Sequence, residues 1–269
     1  MSHSELHEQL GNWTQAISNF RSLIESETDW SLPTTCPGWT ITDLVSHTID
    51  LESMLAGDPR PEHTPDWSAL PHVQSDFGRM TEIGVDYRRG GSRRELLDEL
   101  SDAHSRARAR LETLGPDASI PWLRGDTPIP LLLSMRTFDI WVHEQDIRIA
   151  TGNSGNLTGS GSTDAMRYLT AGLPKVWGKG VGAPAGSVLH VRITEPGLVG
   201  DFLVRVNDDG KASFVKESSE ADVTVTVPWL SFVVLASGRT TGPEFAESVV
   251  VTGNQELGAL LIDRMAVTP

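Results

Sequence analysis

Cysteine is almost absent from this sequence: Cys36 is the one thiol in 269 residues. A single cysteine excludes an intrachain disulfide and leaves no sign of an oxidising compartment. Long apolar runs are missing as well. A helix that crosses a bilayer needs about 20 consecutive apolar residues, and the run from Pro130 to Met135 has only the length of a core segment. The opening MSHSELHEQLGNW has neither the basic start nor the apolar centre of a secretory signal. A cytoplasmic chain without membrane contact is therefore expected. Basic charge is scarce too. Lys and Arg total 22 against 36 acidic residues, for a formal net charge of −14. That balance argues against a nucleic-acid partner, which requires a concentrated positive surface, and favours a small-molecule one. Oligomeric state is not legible.

What is present is the composition of a folded protein, 38% hydrophobic and 22% charged, in a chain long enough for two domains. Leu6, Leu10, Trp13, Ile17, Phe20 and Ile24 recur at steps of three and four, which predicts a first helix with one buried face. The stretch LPTTCPGWT reads as a loop. Thr40 three residues before Asp43 is a capping box for a second helix whose buried face carries Leu44, His47, Leu51 and Met54 or Leu55, ending near Gly57. Residues 58 to 91 read as a long irregular connection with one short helix around Val73 to Val85, and long loops in compact domains are often functional. Ser92 and Glu95 form another capping box, opening a third helix marked by Leu96, Leu97, Leu100, Ala103, Ala107, Leu111 and Leu114. Pro128 or Pro130 opens the fourth, which stops at Gly152. Four long amphipathic helices predict a bundle.

Residues 151 to 163, TGNSGNLTGSGST, lack any period and read as a flexible link. Next come a short helix over Asp164 to Val176 and a loop through GKGVGAPAGS. Two-residue alternation then takes over in VLHVRIT, DFLVRV, ASFVKE and VTVTV, with a hairpin turn at Asp208, Asp209 and Gly210. Helices over Trp229 to Ser237 and Gln255 to Met265 close an α+β domain. The expected division is a helical bundle over 1–157 and the α+β domain over 158–269.

Asp139 and His143 stand four residues apart on the fourth helix, so their side chains emerge on one face about a turn apart, with Leu132, Arg136 and Ile147 as neighbours. His47 falls on the apolar face of the second helix. Two histidines and a carboxylate meeting inside a bundle can bind a divalent metal and leave a position open for substrate. The competing readings are ordinary ones. His47 can be a core histidine with a satisfied hydrogen bond, and Asp139 can pair with His143 or with Arg136 as an ion pair on a helix. An uncompensated aspartate inside a bundle is expensive, and a metal or a cation is the usual relief. Cys36 reads first as a small buried residue, Trp39 and Trp141 as core or pocket wall, and Glu144 as solvent-facing. Asp146, three residues after His143, is either a helix-end charge or a partner that orients a ligand.

The runs TTCPGWTITDLVSHTID and RTFDIWVHEQDIRIATG, in this order, resemble the mycothiol-dependent maleylpyruvate isomerase family. The resemblance implies a DinB-like four-helix bundle that binds zinc through a helix-two histidine and a Glu-x-x-x-His pair of helix four. By motif these are His47, Asp139 and His143, with Asp standing where the family often has Glu. ADVTVTVPWLSFVVLASGR and TGNQELGALLIDRM look like the end of the family's sterol-carrier-like C-terminal domain, and Arg239 is the candidate for a catalytic arginine from it. The resemblance thus implies an enzyme that uses zinc, with nickel, cobalt and iron as metals the same ligands suit, to activate mycothiol for attack on a small electrophile. It is then a thiol transferase or a maleylpyruvate-type cis-trans isomerase. The alternative is a non-catalytic lipid or small-molecule binding protein in which the bundle is a scaffold.

Overall fold

The stepped apolar positions of the first segment lie buried on one face of helix α1 (His3–Ser26). A computed structural model describes residues 3–268 except 124, 218–219, 240–244 and 246. The chain divides into two compact units, Met1–Gly155 and Asn156–Pro269.

In the first unit both capping boxes form. Thr40 and Asp43 cap helix α2 (Ile41–Ala56) reciprocally, and Ser92 and Glu95 do the same for α4 (Arg93–Glu112). Between them the expected short helix is α3 (Asp76–Arg88), which packs on α2. Gly84 allows the approach: a Cβ there would meet the Asp50 carboxylate at 2.1 Å. Asp50 is in turn bonded by Arg60 at 2.7 Å and Arg88 at 3.2 Å. A two-stranded antiparallel hairpin, β1 (Ser119–Trp122) with β2 (Gly125–Pro128), leads into α5 (Ile129–Thr151). Pro130 occupies the first turn of α5, and Gly152 ends it in the left-handed conformation. Helices α1 and α5 pack together, as do α2 and α4, around Trp13, Phe20, Leu44, Leu55, Leu100 and Leu132.

Every residue of α5 from Ile140 to Ile147 is buried. Glu144 is therefore not at the solvent, as its angular position suggested. It is fully enclosed and accepts a hydrogen bond from Arg148 Nε at 2.8 Å. The expectation failed because it assumed that α5 has an exposed side along this stretch.

In the second unit a five-stranded sheet runs in the order β5 (Ala212–Val215), β4 (Gly200–Val206), β3 (Val188–Thr194), β6 (Val223–Pro228), β7 (Val250–Gly253). Strands β3 and β6 are parallel and the other pairs antiparallel. The alternation that predicted strands buries Val223, Val225 and Val227. The turn of Asp208, Asp209 and Gly210 joins β4 to β5, with Gly210 at φ +76°. Among the described residues, the unit also contains helices α6 (Ser160–Ala171), α7 (Leu173–Lys175), α8 (Trp229–Ala236) and α9 (Gln255–Asp263).

Two expectations are corrected here. The stretch assigned as a flexible link enters α6 at Ser160, because its small residues serve packing: Ser162 is buried and accepts a hydrogen bond from Trp229 Nε1 at 2.9 Å. Val176 to Val181, expected to be partly loop, form a π-helical turn with Trp177 buried.

Candidate metal centre

Helix α2 presents His47 and helix α5 presents Asp139 and His143 to a common point inside the first unit. One ligand atom from each lies within 4.8 Å of the others, and among the described residues no other group of three or more metal-ligating side chains comes as close. His47 Nε2 is 3.6 Å from Asp139 Oδ2, and His143 Nε2 is 3.6 Å from Asp139 Oδ1. The two imidazoles are buried, and the Asp139 side chain is 30% exposed.

Burial lowers the His47 pKa, and this outweighs the opposing pull of Asp139, so the neutral imidazole is preferred. For Asp139 burial acts against the charge, but the neighbouring His143, His47 and Arg136 outweigh it and hold the carboxyl well below the usual carboxylate range.

His143 is oriented from behind. Its Nδ1 lies 3.0 Å from Asp146 Oδ2, and Thr35 Oγ1 donates to the other Asp146 oxygen at 2.6 Å. A carboxylate at Nδ1 keeps the proton on that nitrogen and leaves the Nε2 lone pair free. His47 has no such support: its Nδ1 is buried without a hydrogen-bond partner among the described residues. Trp39 covers both rings, at centroid distances of 5.1 Å from His47 and 6.1 Å from His143, and its Nε1 donates to Glu82 of α3 at 2.9 Å. The connection between α2 and α4 thus reaches the site through α3.

The rival contact of Arg136 is also present. Its Nη1 donates to Asp139 Oδ2 at 2.5 Å, while its Nη2 donates to Glu52 Oε1 at 2.9 Å. A carboxylate has enough lone pairs to accept from a guanidinium and still face the two histidines. With two imidazole nitrogens, one ionised carboxylate and no fourth protein ligand among the described residues, the cluster fits a divalent metal with positions left for other ligands.

A family profile described as the mycothiol maleylpyruvate isomerase N-terminal domain matches residues 12–148, a span that contains the whole cluster. The chain belongs to this family. Two crystal structures, of the mycothiol-dependent maleylpyruvate isomerase and of a histidine-to-alanine mutant of it, match over 92% of both chains. Their sequence identities are 16% and 15%, and their TM-scores 0.53 and 0.58. At such identity the likeness is one of fold. A sterol carrier protein 2-like protein from Aedes aegypti matches over 38% of this chain and 98% of its own, at 21% identity and a TM-score of 0.29. No curated protein matches.

Among the other sequence candidates, Arg239 lies in the second unit just after α8, half-buried, with Nη1 donating to the Ser237 carbonyl at 2.9 Å. Cys36 is half-buried in the loop before α2. Glu52 was not anticipated. It lies off the stripe of Leu44, His47 and Leu51, yet it is fully buried and binds Arg136 behind the site.

Proposed function

We propose that His47, Asp139 and His143 hold one divalent metal ion, zinc in the first instance, and that the chain is a mycothiol-using enzyme acting on a small electrophile. The observation that carries this is the convergence of three ligand atoms within 4.8 Å on two helices, with His143 braced by Asp146. Such an ion, when bound, lowers the pKa of a coordinated thiol so that thiolate is available near neutral pH.

The chain's own residues supply the rest. Burial keeps His47 neutral, the Asp146 carboxylate fixes the donor nitrogen of His143, and Trp39 walls both rings from solvent. Addition of thiolate to an activated double bond, rotation and loss of the thiolate gives a cis-trans isomerase of the maleylpyruvate type; retention of the carbon–sulfur bond gives a transferase. Both outcomes use the same residues. Arg239 is proposed as a catalytic residue on the family resemblance alone.

A cobalt-loaded preparation titrated with mycothiol tests the reading. It predicts sulfur-to-cobalt charge-transfer absorption in the near ultraviolet, with one thiol bound per chain. A spectrum unmoved by saturating thiol contradicts it.

A second reading has one observation in its favour. An open groove of about 680 Å³ in the second unit is lined by Leu198, Val199, Phe202, Leu203 and Phe214. A non-catalytic protein that holds a lipid or other apolar ligand there would retain it when the metal cluster is removed and would show no thiol chemistry.

A further inference from the structure

Of the three proposed ligands, Asp139 is the least enclosed, and its direction is set by more than the histidines. Arg136, one turn earlier on α5, holds Oδ2, and so Oδ1 is the oxygen left turned toward His143 Nε2. Arg136 is itself only 2% exposed. A buried guanidinium needs a counter-charge within the protein, and Glu52, fully buried on α2, provides it.

Glu52 has little freedom. Its Oε1 accepts from Arg136 Nη2 at 2.9 Å, from Arg136 Nε at 3.3 Å and from Trp13 Nε1 at 3.2 Å. Its Oε2 lies 3.0 Å from His104 Nδ1. The linkage therefore draws on α1, α2 and α4 and ends on a ligand borne by α5. An isolated ion pair three residues apart on a helix is weak. Here, however, the arginine is gripped at two nitrogens by an immobile carboxylate, which leaves its remaining nitrogen aimed at Asp139.

We propose that Glu52 is a positioning residue of the metal centre: by locking Arg136 it holds the Asp139 carboxylate toward His47 and His143 instead of toward solvent. The inference rests on the metal reading of the triad. It concerns how the ligand is held, which neither the triad spacing nor the family resemblance addresses.

The test is metal affinity of the intact chain, measured for zinc and cobalt by competition with a chromophoric chelator. It compares the unmodified protein with Glu52→Gln, Arg136→Met and the double variant, each also in an Asp139→Asn background. Glu52→Gln and Arg136→Met are each expected to weaken binding by about 10- to 100-fold, the usual range for partners behind a ligand. The double variant is expected to be no weaker than the weaker single one. The ligand-field spectrum of the cobalt form should shift in each, and in the Asp139→Asn background the substitutions should have no further effect. Reduced stability of the metal-free protein with unchanged affinity and an unchanged cobalt spectrum would make the linkage purely structural and overturn the proposal. Tighter binding in Arg136→Met would overturn it too, since the arginine would then be competing with the metal. If Glu52→Gln does not fold, Arg136→Lys keeps the charge, loses the fork and carries the same expectation. Failure of the unmodified chain to bind metal removes the metal reading and this inference with it, whereas Glu52→Gln and Arg136→Met that bind as tightly as the unmodified chain, with Asp139→Asn alone binding more weakly, remove the inference alone.

Discussion

The imidazoles of His47 and His143 stand edge to face, 5.0 Å between ring centres and 79° between planes, with Nε2 of each turned toward the Asp139 carboxylate. Two ring nitrogens and a carboxylate thus face one point, and the consequences of that arrangement can be measured.

Asp146 braces His143 and not His47, so its loss should be felt as weakened metal binding more than as unfolding. Asp146→Asn is expected to lower affinity by about tenfold and Asp146→Ala by more, toward 100-fold. Chelator competition on both variants checks this; equal affinity for all three proteins would show that Thr35 and Asp146 serve packing alone.

The His47 pKa is depressed by burial below its ordinary value of 6.5. Between the folded and unfolded values the unfolded chain binds a proton that the folded chain does not, so acid favours unfolding. The His47 contribution to the stability of the metal-free protein is full above about pH 6.5 and is lost as the pH falls below it. Urea midpoints measured from mildly alkaline to mildly acid pH should be flat at first and then decline, and His47→Gln should make the decline shallower. An unchanged slope in that variant would assign the acid sensitivity to other groups.

Gly84 is the point at which α3 meets Asp50. A methyl group there displaces the Asp50 carboxylate from Arg60 and Arg88. Gly84→Ala is expected to destabilise the first unit by about 1–3 kcal/mol, the usual range for overpacking, and to leave metal affinity within a factor of a few. Denaturant titration and chelator competition on the same preparation separate the two effects.

Where apolar spacing extended over several turns, as in α1 and α4, or where a capping box stood at the start, as at Thr40 and Ser92, the elements were legible in the sequence. The β1–β2 hairpin was not, because four-residue strands with Pro121 and a single buried residue, Ile120, carry no usable period. The start of α6 was hidden by Gly and Ser residues that look like linker but pack beside Trp229. In the candidate site, His47, Asp139 and His143 were readable because each sits on a helix at a countable step. Glu52 was not, since it bonds across helices to Trp13, His104 and Arg136, and no local spacing records such a partner. One signal was available: His104 falls four residues after Leu100 and seven before Leu111, a polar residue on the buried stripe of α4.

The most direct test of the metal centre is the metal content of protein produced without an affinity tag under zinc-replete conditions and measured by elemental analysis. The predicted result is about one equivalent of divalent metal per chain, lost in the His47→Ala, His143→Ala double variant while that variant keeps its helical circular dichroism. A metal-free unmodified protein, or a double variant that keeps its full equivalent, would contradict the assignment of His47, Asp139 and His143 as the ligands.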